Sequence, residues 1–211
     1  MQLISNYLAM SLKIIYLVRL FCIIAIGLTL AKAEDSDGAE TETPRMLLDL
    51  TNKDSQKGWR SSNDTVMGGV SQGGPVSMDG FLRFKGILSL ENNGGFSSTY
   101  RDCELDLSDY NGVEIKLKGD GRTYDLRFRT PARLREDWYV SYSGKMKTVK
   151  DEWITVKVPF DELNQSFRGR QLSGFPFQKD QIQQVRILLG DKKPGPFQLD
   201  VEWIRAYRDE E

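Results

Sequence analysis

From Arg45 onward the apolar residues recur at every second position, the pattern of strands with one face buried and one face wet. Val113, Ile115 and Leu117 alternate with Glu114, Lys116 and Lys118. Tyr124, Leu126 and Phe128 alternate with Asp125, Arg127 and Arg129. Ile154, Val156 and Val158 repeat the pattern, as do Phe197, Leu199, Val201 and Trp203. Further strands are predicted over Met46–Leu50, Phe81–Leu90, Phe96–Tyr100, Trp138–Ser143 and Val185–Leu189. Asn93-Gly94-Gly95, Asn111-Gly112, Gly119-Asp120-Gly121 and Pro194-Gly195-Pro196 punctuate these runs as turns. Helix is expected only in short pieces near Asp161–Phe167 and Lys179–Gln184. About nine or ten short strands, each with one polar face, predict an all-β fold: two antiparallel sheets packed face to face, most simply a jelly-roll sandwich.

The first 33 residues have a different character. Residues 14–30 are apolar apart from Arg19 and a few small polar groups, and Ala31-Lys32-Ala33 follows as a small-x-small cleavage pattern. Lys13 and Arg19 place positive charge ahead of the most apolar stretch. This reads as a cleavable signal over residues 1–33, with Met10 as an alternative start, and predicts an exported, periplasmic or secreted protein. The alternatives are an uncleaved anchor, which Arg19 leaves short for a span, and a mitochondrial leader, for which the run lacks the Arg- and Ser-rich amphipathic character. Residues 34–44, EDSDGAETETP, have nothing to bury and read as an acidic linker. The sandwich domain is expected over residues 45–208, with a tail at 209–211.

Composition removes much chemistry. There is no histidine, which excludes His general bases, Ser-His-Asp and Cys-His nucleophile systems and His-ligated metals. Of the two cysteines, Cys22 lies in the apolar run, so Cys103 stands alone in the domain as a small buried hydrophobe. A net charge of −1 leaves no nucleic-acid footprint. No cofactor fingerprint or metal-ligand spacing is present, and Gly68-Gly69 lacks the following helix that a phosphate loop needs. A carboxylate pair such as Asp49 with Asp64 is the one hydrolytic chemistry left open. The expectation is a protein that is not an enzyme and carries neither cofactor nor metal.

Two stretches are candidate binding sites. In Trp59–Gly73, WRSSNDTVMGGVSQG, Trp59 and Met67 are large apolar groups in what otherwise reads as a loop. Asn63 and Asp64 can bond neighbouring amides, and Gly68 and Gly69 admit unusual backbone angles or the close approach of another chain. The stretch is either a binding loop or a plug closing one end of the sandwich. Asn63 and Asn164 also begin glycosylation sequons. The second candidate is the arginine group Arg122, Arg127, Arg129, Arg133 and Arg135, with Tyr139 and Lys145 nearby. Guanidinium groups suit carboxylates, phosphates or acidic protein surfaces. The alternative is a solvated face balanced by Asp125, Glu136 and Asp137.

The NDTVMGGVS core of the first stretch, followed in order by Asn93–Ser97 (NGGFS), Lys118–Tyr124 (KGDGRTY), Trp153–Phe160 (WITVKVPF) and Gly190–Leu199 (GDKKPGPFQL), resembles the complex I intermediate-associated protein 30 family across residues 47–207. The resemblance implies a galactose-binding-like jelly roll and a non-catalytic role as an assembly factor. Trp59, Asn63, Asp64, Met67, Gly68 and Gly69 match the family's signature positions as structural or binding residues. The expected partner is a protein, such as a membrane complex or its subunits. A glycan is the alternative, with Trp59, Trp138, Tyr139 and Tyr142 as stacking rings.

Overall fold

The computed structural model describes residues 44–209. The signal and most of the linker expected at the N-terminus lie outside the described residues. Within them the chain forms strands β1 (Arg45–Asp49), β2 (Arg60–Asn63), β3 (Gln72–Ser77), β4 (Leu82–Leu88), β5 (Ser97–Leu105), β6 (Gly112–Lys118) and β7 (Thr123–Arg133). There follow β8 (Tyr139–Lys147), β9 (Trp153–Pro159), β10 (Asn164–Phe167), β11 (Arg170–Gln171), β12 (Ile182–Leu189) and β13 (Gly195–Tyr207). They assemble into two antiparallel sheets, as the alternation predicts. The first runs β3-β4-β13-β6-β9, with β1 paired to the far half of β13 through Arg45↔Ala206 and Asp49↔Trp203. The second runs β11-β10-β8-β7-β12-β5-β2.

Alternation places the core between the sheets. Phe84, Leu88, Val113, Ile115, Leu117, Leu199 and Val201 face inward from the first sheet. Tyr124, Leu126, Phe128, Val140, Tyr142, Met146, Val185 and Ile187 meet them from the second. Aromatic edges meet aromatic faces where layers touch, as at Phe128 and Phe160, whose rings stand at 88°. The outer face of the first sheet is an ion-pair ladder. Asp200, fully buried, accepts a bidentate pair from Arg83 at 2.6 and 2.8 Å, with Lys118 3.7 Å away. Glu114 takes Arg205 at 2.7 Å, and Glu202 takes Lys116.

Two expectations change. Asp161–Phe167 is not helical: Asn164–Phe167 is strand β10, held to β8 through Asn164↔Ser143. Helix near 179–184 shrinks to a 3-10 turn, Lys179–Gln181, before β12 begins at Ile182. The segment read as one long loop also contains β2 and β3. Both are edge strands, and short polar sequences such as RSSN and QGGPVS serve there because an edge need not bury two neighbours; Pro75 is tolerated for the same reason.

Candidate functional site

The signature stretch crosses from one sheet to the other, and Asp64 anchors the crossing. β2 delivers Asn63 at the edge of the second sheet, and a 3-10 turn, Asp64–Met67, leads to Gly68, Gly69 and then β3 in the first sheet. Asp64 is 1% exposed. Its carboxylate accepts the Ser71 amide at 2.9 Å, the Ser71 hydroxyl at 2.6 Å, the Gly95 amide at 2.6 Å and the Phe96 amide at 3.3 Å. Burial works against the charged form. The Ser71 hydroxyl and the three amides outweigh it and hold the carboxyl below its ordinary range. The anchor ties the signature loop to the Asn93–Ser97 turn, two stretches far apart in sequence.

The adjacent glycines serve different needs. Gly68 ends the 3-10 turn at φ +91° with open space around it, so its requirement is conformational. Gly69 has no such angle. A Cβ there would sit 2.4 Å from Asp64 Cγ, so its requirement is room. Asn63 completes the latch, donating to the Gly73 carbonyl at 3.1 Å and accepting the Ser97 hydroxyl at 2.6 Å.

The stretch has a buried part and an exposed part. Trp59 is in the core at 8% exposure, as a plug requires. Met67 is not: it is 68% exposed beside Val66 at 73%, and Val70 is also exposed. Ser71 receives the Ser89 amide at 2.9 Å, which brings exposed Leu90 to the same end of the sandwich. Ile87, opposite Gln72 in the β3–β4 ladder, is exposed as well. The loop's own hydrogen bonds fold it back on Asp64 and leave its apolar side chains outside.

The second candidate divides. Arg122 is a staple, making a bidentate pair with Asp191 and bonding the Lys193 and Pro196 carbonyls. Arg127, Arg129 and Tyr139 do come together, lining a hollow of about 320 Å³ on the outer face of the second sheet with Gln184 and Arg186. Arg133 and Arg129 cover the Tyr139 ring at 4.8 and 4.9 Å, while exposed Arg135 lies over Trp138. Sequence reading missed Arg186, Gln184, Tyr100, Asp102 and Arg60. They belong to β12, β5 and β2, and only antiparallel pairing across long stretches of chain lays them beside β7.

The other expected chemistry can be placed too. Asp49 is exposed and bonds Thr51, while Asp64 is spent on its four donors, so they form no carboxylate pair. Trp59 and Tyr142 are buried in the core and cannot stack on a sugar. Cys103 packs against the core, and burial, with Asp102 alongside, pushes its thiol up to about 11. At neutral pH it then holds about a hundredfold less thiolate than a free cysteine. In a Cys22→Ser chain, a disulfide reagent is expected to label native Cys103 slower than unfolded Cys103 by about that factor.

A family model described as complex I intermediate-associated protein 30 matches residues 48–201. The chain belongs to the complex I intermediate-associated protein 30 family. The mouse protein named "Complex I intermediate-associated protein 30, mitochondrial" is 25% identical over 189 residues, covering 80% of this chain and 57% of its own. The Drosophila melanogaster protein of that name is 24% identical over 132 residues, covering 60% and 44%. The Caenorhabditis elegans relative, named as probable, is 28% identical over 97 residues, covering 45% and 28%. The chain thus spans about half or less of the length of these curated relatives. Among solved structures, a family 11 carbohydrate-binding module from Clostridium thermocellum, in complex with a mixed-linked tetrasaccharide, superposes with a TM-score of 0.62 at 14% identity, over 80% of this chain and 97% of that one. An agarase matches with a TM-score of 0.53 at 10% identity, over 79% of this chain and 25% of that one. These likenesses establish the galactose-binding-like sandwich.

The expectation of export is corrected by the same comparison, because the mouse, fly and nematode family members are all named as mitochondrial. An apolar run with basic residues ahead of it is common to more than one kind of N-terminal segment, so that pattern is a weaker guide to compartment than family membership.

Proposed function

We propose that this protein is a non-catalytic binding module that assists assembly of a mitochondrial membrane complex, respiratory complex I, and that it grips its client through the apolar end built by residues 66–70. One observation carries the reading: Val66 and Met67 stand in solvent on a turn locked from beneath by buried Asp64. Exposed apolar groups gathered at one place mark interaction surfaces. A preformed mount lowers the ordering cost of using them, and methionine adapts to irregular partners. Family membership supports complex I as the client.

The glycan reading has less behind it. It is left with Trp138 and Tyr139, whose rings already carry guanidinium groups.

The test is native electrophoresis of mitochondria carrying a tagged full chain. The tag is expected to migrate with subassemblies containing complex I subunits and to leave once the complex is complete. Migration of the chain alone throughout assembly would overturn the reading.

A further inference from the structure

On the outer faces of both sheets most cations lie beside carboxylates. On the first sheet Arg83, Lys116, Lys118, Lys157 and Arg205 each lie within 4.0 Å of a carboxylate. On the second, Arg60 and Arg129 share Asp102, and Arg127 shares Asp125 with Lys145, whose Nζ lies 2.5 Å from it. Arg186, in the centre of that sheet, has no carboxylate within this distance among the described residues. It donates to neutral acceptors, the Gln184 side-chain oxygen at 3.1 Å and the Ser98 hydroxyl at 3.0 Å, and lies over Tyr100 at 4.6 Å. β12 sits between β5 and β7, so Arg186 is directly opposite Arg127 and diagonal to Arg129. Burial, and then the like charges of Arg127 and Arg129, hold its pKa below the ordinary arginine value, against the opposing pull of Tyr100 and Asp102. A half-buried cation facing two others gains from an anion that joins them.

The Nε–H groups of Arg127 and Arg129 are buried and have no acceptor. Buried donors of this kind call for an explanation. These arginines line one hollow of about 320 Å³, whose other walls include Tyr139, Phe167 and Leu188, with Asp137 also on its lining.

We propose that this hollow binds a phosphate monoester. A phosphate brings nearly two negative charges and three acceptor oxygens at neutral pH, against the single charge and two oxygens of a carboxylate. It meets the cations of Arg186, Arg127 and Arg129 together, while the organic group lies along the apolar wall at Phe167 and Leu188. The ester is either a soluble compound or the headgroup of a phosphatidic-acid-type lipid, which present the same chemistry.

Calorimetric titration of the full chain with phenyl phosphate tests this, with benzoate as the carboxylate of matching shape. Saturable binding at one site is expected, with benzoate weaker by about tenfold or more. Arg127→Gln and Arg186→Gln are each expected to weaken phenyl phosphate by about tenfold or more, and Lys85→Gln, on the exposed face of the first sheet, to leave it unchanged. Arg186→Lys keeps the charge but loses the fork and falls between. If Arg186→Gln no longer melts cooperatively, Arg127→Gln and the wild-type titration decide. Three results would overturn the proposal: no saturable phenyl phosphate binding, equal binding of benzoate, or equal loss in Lys85→Gln. Sedimentation with phosphatidylcholine vesicles, with and without phosphatidic acid, separates the sources. Pelleting that needs phosphatidic acid and is displaced by phenyl phosphate assigns a lipid headgroup. Phenyl phosphate binding without pelleting assigns a soluble ester. Pelleting that persists in Arg127→Gln counts against the site.

Discussion

Asp64→Asn is expected to lower the stability of the domain by about 3–5 kcal/mol, the usual cost of breaking a buried, fully bonded polar centre by removing one side of it. The substitution keeps the shape and changes two things. It removes the charge that strengthens four hydrogen bonds, and it turns one acceptor oxygen into a donor. Oδ2 alone accepts from the Ser71 hydroxyl and from the Gly95 and Phe96 amides, so an NH2 at either position faces donors. In a domain of this size each kcal/mol moves the melting midpoint by about 2–4 °C, so a fall on the order of 10 °C is expected by calorimetry. Hydrogen exchange should quicken first at the Ser71 and Gly95 amides. The pH dependence follows from the sign of the shift. The folded carboxyl lies below its ordinary value, so its contribution is fully present above about pH 4 and is lost as the pH falls through the lowered folded value. The gap in stability between wild type and Asp64→Asn should therefore narrow below about pH 4. A gap constant from pH 7 to pH 3 would mean that the charge contributes nothing.

The reasons for which parts of this molecule were legible in sequence are local ones. VEIKLK alternates strictly and becomes β6, with Val113, Ile115 and Leu117 fully buried. RSSN and QGGPVS carry no alternation because edge strands make fewer demands, so they read as loop. Asn164–Phe167 became a strand through its pairing with β8, information that its own residues do not hold. At the site, the NDTVMGGVS residues were visible as a unit, but burial put Asp64 at its centre and Met67 outside. Apolar residues belong inside only as a tendency, and the exceptions carry the interest. Contiguity misled in the arginine group: Arg122 sits close to Arg127 in sequence and serves a turn with Asp191, whereas Arg186 is remote and lies opposite Arg127.

Changing Val66 and Met67 together to Asp is expected to weaken client capture by about thirtyfold or more while leaving the fold intact. The two effects separate because of where the side chains are. At 73% and 68% exposure they contribute little to the core, so the change in stability should stay within about 0.5 kcal/mol per site. In a desolvated contact the same residues act as anchors, and replacing an anchor by a charge costs about 2 kcal/mol or more, which corresponds to roughly thirtyfold. The measurements are the share of the tagged chain that migrates with complex I subassemblies and the melting midpoint of the purified variant. Gly69→Ala supplies the contrast. Its methyl group would meet Asp64 Cγ at 2.4 Å, so it should disturb the mount and the fold together. Loss of migration in the double variant at an unchanged midpoint would identify the exposed pair as the contact. Unchanged migration would move the contact elsewhere on the sandwich and leave the signature loop as a structural tie between the sheets. The residues beneath the loop and those upon it differ in what a substitution does: Asp64 and Gly69 are packed and bonded, whereas Val66 and Met67 stand in solvent.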